Sequence, residues 1–311
     1  HGQSGALDYA LSVGHETSKG FDARPGVGFA DRDGYRSTSA SARLGWALNE
    51  AHRLEATALT NDQNSQYDGF ASTADDRAQN DVQTLGLTWS ARWTDSYRMR
   101  LSANRGRDQY ETRPSPYFTD TRVQSYLWHH ELQLGAHRLT AALERREDRL
   151  DNSGPPPIDA SRSQNGVALG YHWSDRVHTV QLNVRHDDDS EFGGKTTGGA
   201  AYAFAFTPQW RVTASAGTAF RAPTLYQRFS QYGVADLKPE SSRSAELGLR
   251  YARDERQFGL VVFRNEVTDL INFGAAGPCA SPFGCYENAG EAVLKGVTLS
   301  ASQRLGATHV W

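Results

Sequence analysis

A period of two runs through almost the whole chain. From Trp210 the even positions read Trp210, Val212, Ala214, Ala216, Thr218 and Phe220, and the odd ones Arg211, Thr213, Ser215, Gly217 and Ala219. Successive side chains of an extended strand point to opposite faces, so this alternation sets an apolar face against a small or polar one. Leu85, Leu87, Trp89, Ala91 and Trp93 stand in the same way against Gly86, Thr88, Ser90 and Arg92, and Val180, Leu182 and Val184 against Thr179, Gln181, Asn183 and Arg185. Weaker copies lie at 139–143, 258–262 and 297–301. Counting such segments predicts about fourteen strands of about ten to thirteen residues, plus a stub after Gly306, a length that crosses a bilayer when tilted. Strands of soluble proteins average about half that.

The connections alternate too. Short links at Asn49-Glu50, Thr94-Asp95, Gly135-Ala136, Ser174-Asp175, Thr207-Pro208-Gln209 and Asp254-Glu255 take turns with long polar segments at 20–35, 61–80, 107–120, 148–163 and 227–241. Tight turns at one rim and long loops at the other are the pattern of an outer-membrane barrel, with the long loops outside the cell. Trp46, Trp89, Trp93, Tyr97, Trp128, Trp173, Phe206 and Trp210 gather near the short turns, as an interfacial aromatic girdle would, scattered core aromatics being the plainer reading of any one of them.

Composition removes the competing classes. The 33 Lys+Arg against 36 Asp+Glu leave a net charge of −3, and the pI is about 6.4, so no basic face is implied for a nucleic-acid partner. Hydrophobic residues make up only 38% and the mean hydropathy is −0.63, which would suit disorder but for 13 Phe, 13 Tyr and 7 Trp. A barrel whose strands alternate lipid-facing and lumen-facing residues accounts for both facts. The expected fold is therefore an all-β antiparallel transmembrane barrel.

Enzymatic motifs are not found. His129-His130-Glu131 lacks the spacing of a zinc helix and Gly26-Val27-Gly28 opens no helix, so the chain reads as a non-enzyme. Cys279 and Cys285, the only two cysteines, have five residues between them in a Pro/Gly-rich loop. A disulfide suits an exported protein, the alternative being two unrelated loop thiols. Asp22, Asp31, Asp33, Asp68, Asp75 and Asp76 fall in two successive long loops. Carboxylates gathered this way suit a hard cation such as Ca²⁺, or form a solvated acidic surface.

Particular residues carry a family resemblance. Ala219-Phe220-Arg221-Ala222-Pro223-Thr224-Leu225, followed by Leu237-Lys238-Pro239-Glu240-Ser241, resembles the barrel signature of TonB-dependent outer-membrane receptors. The stretch Phe263 to Ile271 resembles the family's next long strand, and Asn288-Ala289-Gly290 with Lys295-Gly296-Val297 the one after, with Thr298 where a Glu is usual. Through Ala219 to Leu225 and Asp187 to Gly193 the likeness extends to the family's cobalamin-transporting members.

This resemblance implies energy-driven uptake of a scarce bulky nutrient across the outer membrane of a Gram-negative bacterium, with cobalamin or another corrinoid as the expected cargo. A ferric-siderophore or haem receptor is the alternative, and a passive porin-like channel or adhesin the alternative from another class. The implied partners are the TonB complex, acting through an N-terminal plug, and the lipid and lipopolysaccharide of the outer membrane. Residues 1–311 are expected to form part of one barrel domain, without the plug and without the last strands. By position Asp22, Asp31, Asp33 and Asp68, with Asp76 beside Arg77, match loop aspartates that bind calcium in the cobalamin transporters.

Overall fold

The computed structural model describes the chain apart from residues 23, 27, 28, 30, 70, 71, 155, 156, 306, 307 and 311, so the Gly26-Val27-Gly28 motif lies partly outside the described residues. One antiparallel sheet takes up nearly everything. Its strands are β1 (Gly2–Ser4), β2 (Leu7–Phe21), β3 (Asp33–Ala47), β4 (His52–Tyr67), β5 (Asp76–Arg92), β6 (Tyr97–Arg113), β7 (Tyr117–Leu134), β8 (His137–Asn152), β9 (Ile158–Ser174), β10 (His178–Asp189), β11 (Gly193–Phe204), β12 (Trp210–Arg221), β13 (Glu240–Arg253), β14 (Arg256–Thr268), β17 (Glu291–Leu305) and β18 (Thr308–Val310). A five-residue helix, α1 (Leu225–Phe229), and a small hairpin of β15 (Ile271–Phe273) and β16 (Tyr286–Asn288) sit in the connections. Among the described residues no helix is long and apolar enough to cross a membrane.

Strand order follows the sequence from β1 to β18, and these two ends are not paired with each other, so the sheet is an unclosed stretch of barrel wall. The expected fourteen long strands are present with the stub as β18, but they run to 12–18 residues, longer than the alternation suggested. The difference lies in the polar segments. Residues 107–120 read as a loop, yet β6 and β7 pair down to Thr112 and Tyr117 and leave only 114–116 as the turn. Polar, charged strands extend beyond the apolar band, where water surrounds both faces and no alternation is imposed.

The register explains which residues meet lipid. One ladder row runs Leu44, Ala56, Leu87, Ala103, Tyr126, Arg145, Asn165, Asp188, passing from apolar to charged over eight strands. Strands of a barrel are tilted and their registers staggered, so a row of directly opposed residues climbs out of the membrane as it goes round. On this outer face Leu85 is 59%, Leu87 54% and Val13 80% exposed. The buried apolar side chains among the described residues are few: Ala91, Leu150, Leu225, Leu237, Ile271 and Cys285. A continuous apolar belt with so small a core is stable only against hydrocarbon.

The luminal face is hydrogen-bonded and ionic. Thr88 Oγ1 lies 3.2 Å from Ser102 Oγ, and Arg185 reaches Glu144 at 2.8 Å and Asp187 at 2.6 Å. Gly166 stands between those two carboxylates in the ladder and makes room for the guanidinium, since a Cβ there would overlap Arg185 Nη2.

The short turns are held by side chains that accept from the backbone after them, as Asx- and ST-turns do. Asn49 Oδ1 takes the N–H groups of Ala51 and His52 at 2.8 and 2.9 Å, Asp175 Oδ1 those of Val177 and His178 at 2.7 and 2.6 Å, and Thr207 Oγ1 that of Trp210 at 3.0 Å. Beside them the aromatic residues pack in a chain, and histidines are part of it. His52 stacks on Trp89, His130 hydrogen-bonds Tyr97 at 2.7 Å, and His178 lies between Trp173 and Phe204.

Candidate functional site

The two acidic links, 22–32 and 68–75, each follow a strand that runs toward the rim of long loops. A β-bulge between Ser18 and Phe21 brings Gly20 against Asp33, with φ +59°, and a Cβ at Gly20 would overlap the Asp33 carbonyl. Gln66 ties the neighbouring strand in: its Oε1 accepts from Gly34 N at 3.2 Å and its Nε2 donates to Asp75 at 3.1 Å and Asp31 at 3.5 Å. The consequence is that Asp31, Asp33 and Asp68 converge, with one carboxylate oxygen of each within 4.8 Å of the others.

Like charges this close oppose ionisation. Partial burial first, then repulsion from Asp75, Asp33, Asp68 and Asp22, holds the Asp31 carboxyl above its ordinary range. Burial, then Asp33 and Asp22, does the same to Asp68. Asp68 Oδ2 is buried without a hydrogen-bond donor. Three carboxylates offer up to six oxygens, and one lacks any other partner, so the set fits a hard divalent cation, for which irregular oxygen geometry is acceptable.

The remaining aspartates do other work. Asp22 Oδ1 accepts from Arg24 N at 3.0 Å, and Asp22 contributes to the cluster through its charge. Asp76 is buried and accepts from Gly69 N at 3.1 Å, which closes its loop. Asp75 is held below the usual carboxylate range by its hydrogen bonds from Arg77.

A second assembly covers the luminal side of β7–β12. The link 222–239 folds inward and α1 packs on β8 and β9. Thr224 caps the helix, accepting from Gln227 N at 3.1 Å while Gln227 Oε1 accepts from Thr224 N at 2.9 Å, a capping box. Arg162 anchors this strap: it donates to Pro223 O at 2.6 Å and to Asp148 at 2.9 Å and lies 3.5 Å from Asp189. Arg228 pairs with Glu191 and lies over the rings of Phe192 and Phe229. Beneath lies a cavity of about 670 Å³ between the strap and the wall, bordered by Arg146, Asp148, Arg185, Asp187, Phe220 and Tyr226.

The signature residues build the strap's two ends. Arg221 and Glu240 form a two-toothed ion pair at 2.5 Å across β12 and β13, and Glu240 also accepts from Ile271 N at 2.8 Å. Pro223 is fully buried. Asn288 accepts from Lys238 N and donates through Nδ2 to Lys238 O and Asp269 O, which fastens the β15–β16 hairpin to residues just before Pro239. Gly290 adopts φ +83°, and Gly296 leaves room for the Phe263 ring. Phe220 and Ala222 both line the cavity, with Lys195 Nζ 5.9 Å from the Phe220 ring. Cys279 and Cys285 are joined by a disulfide within the hairpin's loop.

An aromatic group joins the wall to the strap and the hairpin, and no motif pointed to it. Tyr117 O–H donates to Tyr226 at 2.9 Å and accepts from Asn152 at 2.9 Å. Tyr110 packs on Tyr117, Tyr226 on Tyr286, and Phe273 against both Tyr232 and Tyr286. The available signal was weak: these tyrosines fall in or beside the long polar segments.

Comparison with known proteins agrees with this architecture. The family model described as TonB dependent receptor-like, beta-barrel matches residues 10–311. The vitamin B12 transporter BtuB of Vibrio cholerae is 27% identical over 98% of this chain and 50% of its own length, and that of Photobacterium profundum 26% over 99% and 51%. The chain thus spans about half the length of the curated relatives it matches. Among solved structures, the siderophore receptor PirA from Pseudomonas aeruginosa superposes with a TM-score of 0.83 at 18% identity, over 98% of this chain and 58% of that one. A ferric enterobactin receptor (PfeA) mutant from the same organism gives 0.80 at 18%, over 98% and 56%. With the alternating wall, the unequal rims and the Arg221–Glu240 signature in place, the chain belongs to the TonB-dependent receptor family and forms outer-membrane β-barrel wall of that kind.

Proposed function

We propose that this wall belongs to a transporter that takes up cobalamin or another corrinoid, driven through TonB acting on a plug supplied from outside these 311 residues. The observation that carries the reading is the convergence of Asp31, Asp33 and Asp68, which joins the first two long loops above the lumen in a chain similar to vitamin B12 transporters over 98% of its length. Ca²⁺ held by these three carboxylates would tie the loops together, so that cargo binding bears less of the ordering cost. Asp22 adds charge to the site and Asp76 fixes the second loop. The Tyr110, Tyr117, Tyr226 and Tyr286 group supplies flat apolar surface with hydroxyl groups, suited to a large ring bearing amides.

A ferric siderophore is the second reading, favoured by Arg146, Arg185 and Arg221 around the luminal cavity, which suit an anionic chelate. Titration of the intact receptor with cyanocobalamin and with a ferric catecholate, each in calcium and in chelator, separates the two. Corrinoid binding that strengthens with calcium supports the first reading. Siderophore binding without corrinoid binding replaces it with the second.

A further inference from the structure

The strap and the β15–β16 hairpin are joined through their backbones. Ser281 N donates to Gln231 O at 3.0 Å and Tyr286 N to Tyr232 O at 2.9 Å. Phe273 packs against Tyr232 and Tyr286 against Tyr226, so the same junction carries the tyrosine group. The strap is also closed on itself. Val234 N donates to Gln227 O at 3.1 Å, Gly233 N to Ser230 O at 2.7 Å, and Arg228 Nε to Ala235 O at 2.9 Å. Gly233 lies so near the end of α1 that a Cβ would overlap the Arg228 carbonyl. The strap is therefore one folded piece, and what fixes its position lies at its borders.

Those borders differ in kind. Toward the wall the contacts are polar: Arg162 to Pro223 O, Tyr117 to Tyr226, and Arg228 with Glu191. On the hairpin side, Leu225 and Leu237 of the strap and Ile271 and Cys285 of the hairpin are buried, as are Ser230 and Ser281 at the junction. The segment 274–285 that carries this grip has no regular structure of its own. Its base is held by Gly274 N to Cys285 O at 2.9 Å and Cys285 N to Ala275 O at 3.2 Å. The Ser281 N–H that holds the strap lies inside the ring closed by Cys279 and Cys285. Cys285 is 2% exposed, whereas Cys279 is half-buried between exposed neighbours, so a soluble thiol reaches the bond through Cys279.

We propose that the Cys279–Cys285 disulfide is a redox control on the strap, holding it over the cavity when oxidised and releasing its hairpin side when reduced. A thiolate of an external dithiol attacks Cys279 Sγ, the S–S bond breaks, and Cys285 leaves as a thiolate that takes up a proton. The second sulfur of the dithiol then displaces Cys279, which is protonated in turn. The protein gains two electrons and two protons, and the dithiol becomes a disulfide. The hairpin stands on the rim of long loops, so the thiol comes from the medium outside the cell. Any consequence for cargo rests on the uptake reading above, whereas release of the strap does not.

Hydrogen exchange on the full-length receptor, oxidised and in dithiothreitol, tests this. Reduction should cost the amides of α1 about thirtyfold in protection, the low end of what a short disulfide ring contributes. Amides of β4 and β5 should keep theirs, and reoxidation should restore α1. Cys279→Ser with Cys285→Ser should behave as the reduced protein in either condition, and Arg162→Gln, which frees the other border, should add to the effect of reduction. Because reduction is applied to the folded receptor, the result stands even where the double variant does not fold, which heat-modifiable gel mobility reports. Without reductant, cyanocobalamin should bind the double variant about tenfold more weakly than the unaltered receptor, because cargo must then order the strap itself. Failure of both to bind cyanocobalamin would overturn the uptake reading and leave the strap result standing. Unchanged α1 exchange once two thiols are titrated, equal loss in β4 and β5, or a disulfide that dithiothreitol leaves intact in the folded receptor would overturn the proposal.

Discussion

Replacing Arg162 by Gln should release the strap that covers the luminal cavity. Arg162 is 9% exposed, and its partners Asp148 and Asp189 are 12% and 0% exposed. Its bond to Pro223 O, at 2.6 Å, is a direct tie between wall and strap. A hydrogen bond from a charged donor is worth about 1.5–3 kcal/mol, so local opening of residues 223–237 should become easier by about 2 kcal/mol, a factor of about thirty at about 1.4 kcal/mol per decade. The wall is affected as well. Breaking a buried ion pair costs about 3–5 kcal/mol, and because Asp148 keeps Arg146 at 2.8 Å the lower end applies. Hydrogen exchange on the full-length receptor separates the two effects. Amides of α1 should lose about thirtyfold protection, while those of β4 and β5, far from Arg162, should keep theirs. Addition of Asp189→Asn, which removes one stranded charge, should recover part of the wall stability but not the strap. Unchanged exchange in α1 would refute the view that Arg162 holds the strap, and leave the task to Arg228 and Glu191.

Asp31→Ala with Asp33→Ala should abolish any strengthening of corrinoid binding by calcium while gel mobility stays that of a folded barrel. Since the Asp31 and Asp68 carboxyls are raised, their contribution to loop stability is present below the ordinary aspartate value of about 3.9 and lost as pH rises through the raised values. The calcium effect should therefore be largest near neutrality and fade on acidification, which a pH series of titrations checks. Leu87→Arg on the lipid face should destabilise folding into vesicles by about 2–4 kcal/mol, with Thr88→Arg on the luminal face far better tolerated; equal urea midpoints for the two would contradict the assignment of faces. Gly166→Ala should cost about 1–3 kcal/mol by pushing Arg185 off Glu144 and Asp187, and the same urea titration would show it.

Much of the wall could be read from the sequence because a bilayer imposes a rule on every second residue. Leu85, Leu87 and Trp89 lie on the outer face as their alternation required, and Thr88 faces Ser102 inside. The rule lapses where water wets both faces, so Arg107 to Arg113 looked like loop although it is paired strand. The acidic residues were visible as a set, yet which of them converge depended on a bulge at Gly20 and on Gln66, neither of which has a sequence signature. Asp76, also a ligand candidate by position, accepts from the Gly69 N–H of its own loop. Arg162 could not be found at all by pattern, because its partners come from β8, β10 and the strap, and only register brings them together.

That same stagger organises both surfaces. On the outer face it takes Leu85 to Arg105 across one strand pair, and so places guanidinium groups at the edge of the apolar belt. On the inner face it takes Val123 to Asp148 and on to Arg162, and so raises an ion pair to the level where the strap crosses. Inner and outer residues alternate along each strand, so the two features are bonded to one backbone: Arg145 and Glu147 face the membrane side while Arg146 and Asp148 face the lumen. The six consecutive charges from Glu144 to Arg149, which would be costly in the middle of the membrane, therefore mark where β8 leaves it. The wall is braced there by ion pairs on both sides, Arg145 with Glu147 outside and Arg146 with Asp148 inside. A stiff wall at the rim is what allows short anchors such as Arg162 to fix the strap in one position over the cavity.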